Sequence, residues 1–425
     1  MSAKRLILTW GFALAAFSMT ASAADKTKGD VIEEAKAQLY GNMSDQTQAV
    51  QILASQEEQD VRTYEIVELL SKLLKDEDNP RLLKAVVTGL GQIADKAQGG
   101  TKGDVRKILD GVMRDKEQHA VVRAEAIRAL RPITDAKAYE GKQTVEYLKK
   151  LVDDASTETS IRIAALEFLG GASAEVPDVL KKAIFSSDPN QRKPAITAYI
   201  SIIVRTKATL DGSTTSAMIN TIEDEKANED LRLDLLGMMG IAMKTGSRFM
   251  NAGDMLSGII KKSQKLRVKL KAVTVVGVTL DADLMKILVG VYDDNKDKTE
   301  VEAVALRRAA CSSAGEFFGP FGKRDVSQYK TDMTKLSEMC VTALTSDKDL
   351  SVCKEAANAL GNMYSKRYDR RRPVAALIET LADKDSGVSD TALDSLKFMT
   401  GEDLGKDLDA WRAWYKKNES KLKPL

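Results

Sequence analysis

The chain of 425 residues is 43% hydrophobic and 30% charged, with 5% aromatic residues and 8 prolines. That balance points to helix, in two or three ordinary domains or one extended array. Without residues 1–23 the chain has 62 basic against 62 acidic residues, so no long-range field draws it to nucleic acid or anionic lipid.

At the N-terminus Lys4 and Arg5 precede the apolar run 6–17, and Ala21-Ser22-Ala23 follows. A positive stretch, a short apolar core and an A-x-A site are the parts of a secretory signal peptide, with cleavage expected before Ala24. An uncleaved anchor is the competing reading, and the apolar run is short for one. No twin arginine or lipobox cysteine occurs, so the expectation is an exported protein, periplasmic or secreted, with no stable membrane insertion after cleavage. Residues 24–61 are expected to form an atypical helical pair that caps the N-terminal end.

A ten-residue pattern then recurs as LLKAVVTGLG (82–91), VRAEAIRALR (122–131), IRIAALEFLG (161–170), QRKPAITAYI (191–200), LRLDLLGMMG (231–240), VKLKAVTVVG (268–277), LRRAACSSAG (306–315), VCKEAANALG (352–361) and VSDTALDSLK (388–397). Starts lie 30 to 46 residues apart, the length of one helix–turn–helix unit. Positions 1, 5, 6 and 9 are apolar and share one helical face, the expected buried stripe. Glycine recurs at the tenth position, where the spacing predicts that the helix stops and the chain turns. Asn79, Asp188, Asn228, Asp349 and Asp385 stand as N-caps before the repeated helices, with Pro80 and Pro189 next to them.

The second position carries Arg123, Arg162, Arg192, Arg232, Lys269 and Arg307. Bordering the buried stripe, these are expected to form a structural ladder to backbone carbonyls or to carboxylates of the adjacent repeat; the competing reading is a ligand-binding ladder. Between the copies lie amphipathic partner segments such as 62–76, 103–116, 142–154, 281–295 and 372–383. Residues 62–400 are therefore expected to be an all-α, right-handed α-solenoid of about nine helix pairs with terminal caps. The aliphatic–Arg pair, the central Ala and the terminal Leu-Gly resemble the HEAT-repeat family over most of the chain. That resemblance implies a scaffold offering a long face to a protein or another extended ligand.

Two insertions stand out. GEFFGPFGKRD (315–325) reads as a glycine-rich loop with Phe318 and Phe321 as candidate contacts. The competing reading ends a helix at Phe317 and Phe318 and tucks Phe321 under the turn. KRYDRRRP (366–373) brings Arg367, Arg370, Arg371 and Arg372 together as candidates for a phosphate, a polyanionic polysaccharide or a carboxylate-rich partner. Its competing reading is a solvated turn whose arginines complement a helix C-terminus.

Chemistry is sparse. Of Cys311, Cys340 and Cys353, the second and third fall on successive helices and are the better disulfide pair; three reduced, buried thiols are the alternative. His119 is the single histidine, and no P-loop, nucleophile elbow or H-E-x-x-H motif occurs. No catalytic, cofactor or metal residue is expected.

The chain closes on TGEDLGKDLDAWRAWY (400–415). An EF-hand alignment from Asp403 puts Leu408 where Gly is needed and Trp414 where Glu is needed, so a calcium loop fails. Residues 401–425 read as a capping helix, with Asp407 as N-cap and Trp411 and Trp414 covering the last repeat. Thr400, Gly401, Asp403, Gly405, Asp407, Trp411 and Trp414 also resemble a closing segment of some exported bacterial HEAT-repeat proteins. Two other HEAT-like activities are weighed against the scaffold. A DNA glycosylase would want a basic face with tryptophans, which the neutral balance and the export signal oppose. A pigment or cofactor lyase or chaperone would want histidine or cysteine ligands, which are scarce.

Overall fold

The computed structural model describes residues 28–55, 61–97, 99–172, 175–247, 249, 251–279, 281–321, 329–383 and 385–424. The expected signal peptide, residues 1–23, lies outside them. Twenty-one α-helices and no strand occur among the described residues. The chain divides into two compact units, one up to Asp135 and one from Ala136 on.

The first unit holds α1 (Lys28–Gln38), α2 (Met43–Ser55), α3 (Val61–Asp76), α4 (Pro80–Lys96), α5 (Gly100–Arg114) and α6 (Ala120–Leu130). They pair as α1–α2, α3–α4 and α5–α6, and the second helices α2, α4 and α6 stack on one another. The second unit opens with α7 (Tyr139–Asp153), α8 (Thr159–Ala172), α9 (Asp178–Ala183), α10 (Pro189–Thr206), α11 (Gly212–Glu223), α12 (Glu229–Lys244), α13 (Ala252–Lys262) and α14 (Leu266–Thr279). It continues with α15 (Met285–Asp293), α16 (Val301–Phe321), α17 (Lys330–Ser346), α18 (Leu350–Gly361), α19 (Arg371–Thr380), α20 (Ser386–Thr400) and α21 (Leu408–Asn418). Its even-numbered helices carry the ten-residue pattern and pack in succession; the odd-numbered ones form a second, more open row that α21 extends beyond α19.

The apolar stripe makes the core. In α14, Val268, Ala272, Val273 and Val276 are fully buried. The side chains of Asn79, Asp188, Asn228, Asp349 and Asp385 all accept a backbone N–H of the helix that follows, which satisfies donors the first turn leaves open.

Five of the six tenth-position glycines lie inside their helices, and only Gly361, the last residue of α18, stands at the expected stop. α14 runs on past Gly277 to Thr279, and α16 past Gly315 to Phe321. A Cβ on Gly277 would stand 2.8 Å from the Ser313 Cα, and one on Gly170 would stand 2.6 Å from the Ala198 Cα. Ser313 and Ala198 are the eighth residues of the next copies, so each glycine is a notch that seats the following helix. Ser313 Oγ completes that junction by donating to the Val273 carbonyl at 3.1 Å. After α20 the chain is turned by Gly401, left-handed at φ 79° and donating its N–H to the Lys397 carbonyl.

The expected glycine-rich loop is also corrected. Residues 315–321 belong to α16, and 322–328 lie outside the described residues. Phe318 is fully buried and so is no surface contact; of the Phe321 side chain nothing is described.

Candidate functional site

The second-position cations turn inward. Arg192 donates Nε to Asp234 of the next repeat at 2.8 Å and Nη1 to the Ser186 carbonyl at 2.8 Å. Arg123 reaches the Met113 carbonyl at 3.2 Å, and Lys269 pairs with Glu302 at 2.6 Å. Arg307 makes a two-pronged pair with Asp347 at 2.7 and 3.0 Å, and its third nitrogen bonds the carbonyls of Asn295 and Lys298. Arg162 is half-buried, with Nε unpartnered. Arg192, Lys269 and Arg307 tie one repeat to the next and Arg123 ties α6 to α5 of its own repeat, so these four do not form a row of free cations for a ligand.

Arg232 shows how pH enters. It donates to the Ile222 carbonyl at 2.8 Å and to Glu225 at 2.5 Å. That bond, with help from Ser263 and the Gln264 N–H, holds the Glu225 carboxyl down at about 2 against the usual 4.5. A carboxyl depressed on folding stabilises above its unfolded value, and the contribution fades as pH falls from 4.5 towards 2. Glu225→Gln should therefore lose less stability than wild type across that window in urea melts at stepped pH. Because Glu225 is partly exposed, solvent screening keeps the effect modest.

The basic turn between α18 and α19 divides in two. Arg370 is only 7% exposed: Nη1 bonds the Met399 carbonyl at 3.1 Å, Nη2 the Lys421 carbonyl at 3.3 Å, and its backbone N–H the Leu422 carbonyl at 2.9 Å. It is a tie for the C-terminal tail and not a contact for an external anion, because both terminal nitrogens bond backbone carbonyls and the side chain is buried, with Nε left without a partner. Burial lowers its pKa from the ordinary arginine value. Arg367, Arg371 and Arg372 remain at the surface. Arg371 grips Asp369 through two bonds of 3.0 and 2.6 Å and holds that carboxyl below its usual range. Arg372 spends one N–H on Glu338 at 2.9 Å.

Phe318 supports this turn from beneath. Its carbonyl accepts the Tyr368 hydroxyl at 2.8 Å, and the two rings meet edge to face at 5.9 Å. Burial pushes the Tyr368 hydroxyl well above its ordinary pKa, so it stays a donor. The two insertions that looked separate in the sequence thus meet.

On that base stands a groove of about 1060 Å³ between α17, the basic turn and the end of α21. Arg367, Arg371 and Arg372 line it with Lys330, Glu338, Asp369 and Glu419, over an apolar floor that includes Met333, Met363, Pro373 and Tyr415. Sequence reasoning found the arginines as a cluster; Lys330, Met333, Tyr415 and Glu419 come from segments that only the fold brings together. A second groove of about 620 Å³ lies between α13 and α15, with acidic and basic side chains interleaved, the Lys269–Glu302 pair among them.

The tail forms one wall of the first groove. Asp407 accepts the Ala410 N–H at 2.9 Å, and Trp411, fully buried, donates Nε1 to the Gly405 carbonyl at 2.8 Å. Trp414 is half-buried and meets Trp411 edge to face at 5.8 Å. Arg412 clasps Glu379 of α19 through both carboxylate oxygens.

The three thiols are free and buried. Cys340 is not joined to Cys353; its thiol neighbour is Cys311, while the Cys353 Sγ points to the carbonyls of Ala343 and Asp347. His119 occupies the N-cap of α6 without a side-chain capping bond. Among the described residues no three His, Cys, Asp or Glu side chains gather as a metal site, and no helix is long and apolar enough to cross a membrane.

Helix pairs stacked through a repeated stripe, cap and cation define an α-solenoid. A family model described as HEAT repeats matches residues 40–131. The fold is similar to that of Kap95p in its complex with RanGDP, at 11% identity and TM-score 0.62, covering 88% of this chain and 50% of that one. Yeast importin-β (Kap95p) alone gives 11% identity and TM-score 0.57 over 88% of this chain and 53% of that one. The karyopherin Kap121p, bound to the extreme C-terminus of the protein phosphatase Cdc14p, gives 10% and 0.53 over 87% and 45%. At these identities the likeness is one of fold, and the chain spans about half the length of the importin-type chains it matches. No curated relative matches the sequence.

Proposed function

We propose that this protein is an exported, non-catalytic scaffold that binds a segment of a protein partner in the groove between α17, α19 and α21. The observation that carries this reading is the groove itself. It is about 1060 Å³, at the upper end of the size that buries a drug-sized ligand, and has polar groups converging over an apolar floor. The karyopherins that share the fold are captured with protein partners, in one case a C-terminal segment of the partner, which supports a binding role by analogy of architecture. Export rests on the signal-peptide pattern in residues 1–23. The scarcity of histidine and the inward-turned cations support a role without catalysis.

The test is affinity capture from the native extracytoplasmic fraction, using the intact protein and a Lys330→Glu, Arg367→Glu double variant of matched melting temperature. Partners held by wild type should be lost from the variant. Retention of the same partners by both would remove the groove as the binding site.

A further inference from the structure

Taking the proposed groove as the binding site, we infer that its occupant is an extended peptide segment carrying carboxylates on either side of a large apolar side chain. The charge balance of the groove wall selects the sign. Asp369 is taken up by Arg371 at 2.6 Å, and Glu338 by Arg372 at 2.9 Å. Arg367 is exposed and makes no ion pair among the described residues, and Lys330, also exposed, faces Asp369, which Arg371 already holds, against Glu419 as the one lining acid outside those two pairs. Arg372 still has N–H groups to offer after its bond to Glu338. A guanidinium presents paired donors that match a carboxylate, so Arg367 and Arg372 supply direction as well as charge.

The floor selects the apolar part. Met333 and Met363 are buried, and the Tyr415 ring is half-buried beside Pro373. Methionines adapt to irregular apolar shapes, and an exposed Tyr edge adds contact at small entropic cost. A free phosphate would use the rim and leave a groove of this volume and floor empty. A basic segment would meet a wall of four cations against three acids. An acidic, apolar segment answers both parts.

Fluorescence anisotropy with three labelled, capped nonapeptides tests this on the full protein. One peptide carries aspartates and glutamates around Leu and Phe, the second replaces every acid with its amide, and the third replaces them with lysine. The acidic peptide should bind about tenfold or more tighter than the amide peptide and weaken as salt rises. Lys330→Glu with Arg367→Glu should remove that preference while leaving the melting temperature near wild type; Tyr415→Ser, which removes the ring without adding charge, should weaken acidic and amide peptides alike. If the amide peptide binds as tightly as the acidic one and Tyr415→Ser abolishes both, the groove stands as a docking site and the carboxylate selection falls. If no groove variant changes the binding of any peptide, both readings fall. Full competition by inorganic phosphate alone, with no difference among peptides, would overturn the inference in favour of a simple anion site.

Discussion

Replacing Arg307 by Met should destabilise the unit from Ala136 on by about 3–5 kcal/mol. Arg307 and Asp347 are the most deeply buried ion pair among the described residues, with side chains 3% and 1% exposed. The cost arises because each half is left without what solvated it. Without the guanidinium, the Asp347 carboxylate keeps only the Asp349 N–H at 3.0 Å and the Tyr292 hydroxyl at 3.4 Å. The carbonyls of Asn295 and Lys298 lose their donor as well. Burial of an uncompensated carboxylate dominates, and loss of packing is minor because Met fills much of the space. Pairing Arg307→Met with Asp347→Leu should recover part of the loss but not all, since the two carbonyls stay open. Urea unfolding followed by far-ultraviolet circular dichroism reads both variants. A loss below about 1 kcal/mol in the single variant would show that the pair contributes nothing net.

Trp411→Ala should cost up to about 3–5 kcal/mol, confined to the C-terminal end. Trp411 is the largest fully buried side chain among the described residues, and its indole N–H has the Gly405 carbonyl as partner. Removing it leaves a void under α21 and an open carbonyl in the turn before it. Solenoid ends unfold with less help from neighbours than the middle, so the loss should appear as an early transition. Trp414, left as the tryptophan of that end, should shift its emission to the red ahead of the main loss of helix. Tyr415 sits on the same helix and lines the groove, so peptide binding should weaken together with the early transition. Lost binding with an unchanged melting profile would overturn the capping role of Trp411.

Much of the helical register was legible because stripe, caps and spacing constrain one another within a single helix. Asp349 could be read as an N-cap from its position ahead of Val352 alone, and it accepts from both Ser351 and Val352. The seating role of the tenth-position glycines was hidden for the opposite reason. What Gly277 seats is Ser313, and a column read down one helix does not show the helix that lies against it. The basic turn was half legible. Arg370 and Arg371 are adjacent and chemically alike, yet Leu422 and Lys421, some fifty residues on, decide that the first is buried. Likewise the groove needs Met333 from α17 and Tyr415 from α21, a meeting fixed by how α17, α19 and α21 follow one another.

The notches make the array mechanically uneven. Where the tenth residue is Gly170, α8 and α10 lie closely together; where it is Ile200, α10 rests far more loosely on α12. A small residue at this position should therefore act as a stiff coupling and a bulky one as a compliant joint, so that elastic give would be set by one column of the sequence. Within the second unit, strain imposed on the stack should collect at the joint after Ile200 before it reaches the tightly coupled helices that carry the groove.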